Sequence, residues 1–515
     1  MRIDGQLKAA MVLILLGGGP VGAEAPLSAI DWLSKSVSTP IPPLPPAEPA
    51  VSSGALTGTV TVTVLGGPAP DAVGLLSARA TGFPRGLWGM GQTEEIAARI
   101  TAERADTLPT LQALMTTLLL AETDPPPDAA GRGILLLARI DKLLAMGELD
   151  QAAALLAATG TGTADLFRRS FDVALLTGAE DQACATMRAS PDLAPTFPAR
   201  IFCLARAGDW NAAALTLRTA QALGYVTPEE DALLSRFLDP GLSEDAGDLA
   251  PPTHPTPLVW RMFEAIGEPL STSGLPLAFA HAELREQAGW KAQIEAAERL
   301  ARAGALAPNQ LLGLYTERLP AASGGVWDRV EAFQRLDIAL TASNGDADVT
   351  AVALALPLVW QRMQEAELEV PFAALYADDL FGLPLEGAAG ALAFRVALLS
   401  PHYEQAAVRR VPADSEEAFL IGLARGALQG VTPPNSMARV IQPAFLRPEL
   451  SPEAAALLSE NRLGEALLLA IDRIGRGVQG DLRGVTEGLS LLRHVGLEDV
   501  ARRTALELLL LERRG

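Results

Sequence analysis

The chain has 515 residues, 61 acidic and 41 basic, for a formal net charge of −20, with two cysteines and four histidines. At 49% hydrophobic residues it has the material for large cores, which excludes a disordered or fibrous chain. It carries no long basic run, which excludes nucleic acid as a partner, because that affinity comes from Lys and Arg on phosphates. Aromatic residues are 5% of the chain and runs of Val, Ile and Thr are scarce, whereas Ala and Leu recur throughout, so helices are expected.

In chain order, Arg2 and Lys8 precede the apolar stretch Ala9 to Leu16; Gly17 to Pro20 then breaks any helix, and Val21-Gly22-Ala23 supplies small residues. This is the pattern of a secretory signal peptide over residues 1–23, cut after Ala23, and it implies a periplasmic or secreted mature chain. The apolar core is far shorter than the roughly 20 residues of a membrane span, and charges interrupt every later Leu/Ala run. No membrane span is expected after cleavage. Residues 24–93 read as an extended, proline-rich linker. Within them Pro40 to Pro49 (PIPPLPPAEP) should be polyproline-like, and Thr57 to Leu65 (TGTVTVTVL) alternates with the period of an isolated short strand. That strand is expected to stay unpaired, to pair within its own chain, or to add to a sheet edge of another protein.

Beyond Glu94, amphipathic segments of helical period alternate with Gly, Pro and Asp/Asn punctuation, which predicts helix pairs. A turn repeats. Gly147-Glu148-Leu149-Asp150-Gln151-Ala152, Gly178 to Ala183 and Gly208 to Ala213 share Gly, then Asp or Asn three later, then Ala five later. Gly496, Asp499 and Ala501 repeat it, and Asn461 to Ala466 is a looser copy. Gly suits the end of one helix, the short polar side chain suits capping or entering the next, and Ala allows two helices to approach closely. A unit of about 30 residues cannot bury its apolar face alone, so copies are expected to stack. At these residues the chain resembles the tetratricopeptide and Sel1-like helical-hairpin families, with Leu156 and Leu217 four residues after the Ala. In the third copy Phe197 and Ile201 stand where those families carry Trp and a small residue. The whole chain also looks like exported proteobacterial proteins. The fold class expected is all-α, an α-solenoid of stacked helix pairs. Its N-terminal half spans 94–239, an acidic proline-rich linker spans 240–257, and its C-terminal half spans 258–515.

Cys184 and Cys203 fall on consecutive helices, 19 residues apart, and in an oxidising compartment a disulfide between them is expected; the alternative is two separately buried thiols. Motifs for zincins, phosphate-binding loops, nucleophile elbows and CxxC pairs do not occur, and the four histidines are scattered, so no catalytic residue, cofactor or metal is expected. Asn344, Asp346 and Asp348 imitate the start of a calcium loop without its Gly or closing Glu, and the acid pairs Asp378-Asp379 and Glu416-Glu417 read as solvated helix ends. Of the tryptophans, Trp210 is expected to pack at a repeat turn and Trp290, Trp327 and Trp360 in the core, with partner anchoring as the alternative for each. These features point to a non-catalytic scaffold or adaptor for another envelope protein or peptide. An enzyme acting on cell-wall polymer and an accessory subunit of an envelope machine, such as a flagellar motor or secretion apparatus, are the rivals.

Overall fold

The computed structural model describes residues 69–160, 162–239, 241, 249–341 and 347–511. The signal peptide, the proline-rich run at 40–49, the strand expected over Thr57 to Leu65, and Asn344 and Asp346 lie outside the described residues. Among those described, the chain is all-helical, with 25 α-helices and no strand; one parallel bridge joins Leu76 and Ala121. Local chemistry starts many of these helices. Pro109, Pro228, Pro257, Pro308 and Pro452 occupy first turns, where a missing N–H removes no helical bond. At Thr227 a full capping box forms with Glu230, and Asp348 accepts from Thr350 N and Ala351 N.

Two cores organise the helices. The first group comprises α1 (Ala78–Thr81), α2 (Thr93–Ala102), α3 (Pro109–Leu120), α4 (Ile134–Ala145) and α5 (Leu149–Thr159). An arm follows, made of α6 (Ala164–Thr177), α7 (Glu180–Ala189), α8 (Phe197–Arg206), α9 (Trp210–Leu223), α10 (Pro228–Leu238) and α11 (Pro257–Ala265). The arm has its own core around Phe167, Phe171, Phe202, Leu234 and Met262. Next come α12 (Ala280–Glu283), α13 (Trp290–Arg302), α14 (Pro308–Thr316), α15 (Val326–Leu340), α16 (Val349–Glu365), α17 (Glu369–Gly382), α18 (Gly387–Leu398) and α19 (Tyr403–Arg409). The last group is α20 (Ser415–Ala424), α21 (Ser436–Leu446), α22 (Pro452–Ser459), α23 (Leu463–Val478), α24 (Leu482–His494) and α25 (Glu498–Leu510). Helices pack on their sequence neighbours, as α8 on α9 and α15 on α16, and on next-but-one neighbours, as α2 on α4 and α16 on α18. That is the contact pattern of a helical stack.

The stack closes on itself. A single large core runs from Phe83 through the first group and on from Trp260 to Leu511, so the described chain does not divide into cores at 240–257. Helix α3 packs on α25, and α2 and α3 pack on α23. Gly464 is where the two ends meet: its N–H donates to Leu87 O (2.8 Å), and a Cβ there would lie 2.5 Å from the Trp88 ring. Glu465, fully buried, receives Arg462 at 2.7 Å and Arg99 at 3.5 Å.

The stretch 69–92 belongs to the segment expected to be an extended linker, and there the structure differs. Phe83, Leu87 and Trp88 are buried in the main core. Asp71, fully buried, accepts from Gly133 N and Leu136 N at the start of α4. The buried Arg139 donates to Leu119 O, Val73 O and Ala121 O, lacing this stretch to α3; burial lowers its pKa to about 10. The signal missed is chemical rather than periodic. Helices α2, α3 and α4 begin at Gln92, Leu108 and Gly133, none of which caps with its side chain. Acids distant in sequence do it instead: Asp128 accepts from Thr93 N, Glu507 from Thr110 N, and Asp71 caps α4.

Candidate functional site

The repeat turns supply the local geometry. Gly147, Gly178, Gly208 and Gly496 have φ between 78° and 86°, and the residue after each donates to the carbonyl five before it, as Glu148 N to Leu143 O and Asp209 N to Leu204 O. This left-handed closure is natural only for Gly or Asn, and Asn461 adopts it with φ 57°. Ala152, Ala213 and Ala501 are fully buried and Ala183 nearly so. Of the two expected roles, capping or entering the second helix, Asp150, Asp181, Asn211 and Asp499 take the second. The residue following the Gly is already the N-cap, which places the third residue inside the first helical turn, where Asp favours the helix dipole. The same closure recurs in the middle of the chain, at Gly304, Gly426 and Glu367, where Phe372 takes the place of the small Ala.

Cys184 of α7 and Cys203 of α8 are joined as a disulfide, with Cα atoms 5.1 Å apart. The bond lies in the arm core. One helical turn from it on each side stands a charged group: Glu180 and Asp181 precede Cys184, and Arg206 follows Cys203.

Arg206 is part of a cleft of about 310 Å³ lined by Phe202, Arg206, Phe237, Arg261, Glu264, Ala265, Arg285 and Gln287, and Glu180 and Asp181 stand behind that lining as partners of its arginines. It sits where the arm meets the segment after α12. Glu180, buried, receives Arg261 Nη2 at 2.7 Å and Arg206 Nη1 at 3.4 Å. Arg261 also reaches Glu264, which receives Arg285 Nη2 at 2.7 Å. Arg285 runs past Gly178, where a Cβ would meet its Cδ at 3.4 Å, and lies over the Trp260 ring. Arg206 closes the rim through Asp181 at 2.7 Å; that carboxylate is 79% exposed. Burial works to lower the pKa of Arg261, but the bonds and charges of Glu180 and Glu264 outweigh it and raise the value. The Phe202 and Phe237 rings stack 5.5 Å apart and form the apolar wall. Guanidinium forks beside an aromatic wall can recognise a carboxylate carried by an apolar group. Residue order hides the cleft, because its lining comes from four separate segments spread over residues 202–287.

The other candidates fall elsewhere. Asp378 faces His402 at 3.3 Å, Glu416 pairs with Arg395 and Glu417 with Arg410. His281 is largely buried against Gly147 O, and burial lowers its pKa. Among the described residues no group of three His, Cys, Asp or Glu is placed to hold a metal ion. Trp290 and Trp360 are buried and Trp327 packs half-buried on Trp290, but Trp210 is 52% exposed at its turn rather than packed. Helix α9 buries only Ala213, Leu217 and Ala220, and Leu215 and Leu223, like Trp210, are left in solvent. Compared with protein families, curated proteins and solved structures, the chain matches none of them.

Proposed function

We propose that the protein is a periplasmic, non-catalytic adaptor of the helical-hairpin class that holds another envelope protein or peptide. The observation that carries this reading is the apolar exposure of α9. Trp210, Leu215 and Leu223 are each more than half exposed along this one helix of the arm, and large apolar side chains left in solvent are what a partner protein would cover. The compartment is supported by the disulfide, which suits an oxidising environment, and by the signal-peptide pattern. Among the described residues no helix is long and apolar enough to cross a membrane.

The test is a photocrosslinking residue placed at Leu215 in cells, beside one at the exposed Leu319 far along the chain. A discrete adduct with one envelope protein at Leu215 alone, lost in the double variant Leu215→Arg, Leu223→Arg, is the expected result. Absence of adducts at both positions, with the purified chain hydrolysing cell-wall polymer, would replace the adaptor with the enzyme. Adducts at fixed stoichiometry within a membrane complex would make it an accessory subunit instead.

A further inference from the structure

We infer that the arginine cleft binds the carboxylate of an acidic peptide segment, with a neighbouring apolar side chain of that segment laid against Phe202 and Phe237. The inference deepens the adaptor reading and rests on it for the choice of a peptide over a free acid.

Charge makes the site specific. The chain carries a net charge of −20 and repels anions at a distance, so any attraction for one must be local. Three guanidiniums line the cleft and are held by three carboxylates of unequal standing, Glu264 in the lining and Glu180 and Asp181 behind it. Glu180 is buried beneath Arg261 and Arg206, and Glu264 is held between Arg261 and Arg285. These two are fixtures. Asp181 is 79% exposed and holds only Arg206, itself a third exposed. Such rim pairs contribute little, and an incoming carboxylate can take over the Arg206 fork without unburying anything.

The same arrangement selects a monoanion. A phosphate dianion entering the cleft would meet Glu180 and Glu264 at close range, whereas one carboxylate replaces one carboxylate. The volume of about 310 Å³ fits a side chain or two, and the stacked rings favour a ligand with an apolar part beside its charge. Preorganisation comes from the disulfide. It joins α7 to α8 one turn below Asp181 and Arg206, so the spacing of these two residues is held covalently.

The experiment titrates the disulfide-intact protein with acetyl-Phe-Asp-amide, acetyl-Phe-Asn-amide and 3-phenylpropionate by calorimetry, following thermal unfolding of each variant in parallel. The Asp peptide should bind with a Kd of about 1 mM or tighter, typical of a ligand this small, and the Asn peptide should not bind. Asp181→Asn removes the internal competitor and should tighten binding severalfold; Arg206→Gln should weaken it about tenfold, the loss of one charged fork. A gain from Asp181→Asn is what a merely structural role would not produce. Equal binding of the Asp and Asn peptides, no binding of either, or no gain from Asp181→Asn overturns the inference. Binding of phenylpropionate with the same variant responses, without the Asp peptide, would place a free carboxylic acid in the cleft and overturn the peptide. Leu215 photoadducts that persist in Arg206→Gln, with no peptide binding, would leave the adaptor standing and remove the cleft. Loss of all adducts, with peptide binding intact, would do the reverse.

Discussion

Replacing Glu507 with Ala tests whether the closure of the stack is a structural necessity or an incidental contact. Its carboxylate accepts the Thr110 N–H at 3.1 Å through both oxygens and the Thr110 hydroxyl at 2.6 Å, across 397 residues of sequence. Both residues are buried, Glu507 to 3% and Thr110 to 4% exposure, so water cannot replace the lost acceptor. Two stranded donors cost about 1–3 kcal/mol each, and loss of the negative charge at the start of α3 adds about 0.3–1 kcal/mol. Removing the carboxylate also relieves its own desolvation, so the net loss should be about 3 kcal/mol. Glu507→Gln keeps an acceptor and should lose about half as much. Urea unfolding of the disulfide-intact chain, in a double-mutant cycle with Thr110→Val, is the assay; the pair should couple by about 1–3 kcal/mol. Limited proteolysis should cut the variant first near α3 or α25, which face each other. A Glu507→Ala variant within about 0.5 kcal/mol of the parent, or a cycle with no coupling, would refute the argument that α3 takes its cap from the far end of the chain.

Four further outcomes follow from the same geometry. Glu148 is buried, its Oε2 has no hydrogen-bond partner, and burial raises its pKa to about 7 against the hydrogen bond from Thr116. A carboxyl whose folded pKa lies above its unfolded value stabilises fully at pH below the unfolded value and loses that contribution as pH rises towards 7, so Glu148→Gln should leave stability at pH 4 almost unchanged and raise it at pH 8 by up to about 3 kcal/mol in chemical denaturation. Gly147→Ala should cost more than Gly208→Ala: both have positive φ, worth about 1 kcal/mol, but only at Gly147 would the new Cβ meet a neighbour, Leu277 Cγ at 2.8 Å. Paired melting curves check the order. Cys184→Ser with Cys203→Ser, or reduction, should lower stability by about 3 kcal/mol for a loop of this length, read as a midpoint shift between oxidised and reduced samples. Arg139→Met strands the carbonyls of Val73, Leu119 and Ala121 and should cost about 3 kcal/mol, with hydrogen exchange rising first over residues 69–76.

Much of the helical grammar is readable from residues because it is local. A Gly that must take positive φ, a Pro that tolerates only a first turn, and an Ala that admits a neighbouring helix each act within a few positions. The turns at Gly147, Gly178, Gly208 and Gly496 could therefore be placed by inspection. The turn at Glu367 could not, since Glu does not advertise φ 56° and Phe372 breaks the small-residue pattern. Nor could the role of residues 69–92, which lack periodicity and are held by Asp71 and Arg139 through backbone groups that every residue shares. An acid that caps a helix 397 residues away looks, in sequence, like any other acid in an amphipathic segment.

The cleft shows the same limit from the functional side. Glu180 and Asp181 were visible only as polar residues of a repeat turn, and Arg206, Arg261 and Arg285 as three of many arginines. What gathers them is the arm. The Gly178 turn lets Arg285 pass close to the backbone, and the disulfide fixes α7 against α8. Residues selected for stacking thus also set the spacing of a charged site. The cysteine pair connects the two levels, because the bond that ties α7 to α8 also sets, one helical turn away, the spacing of Asp181 and the Arg206 that a ligand carboxylate would take over.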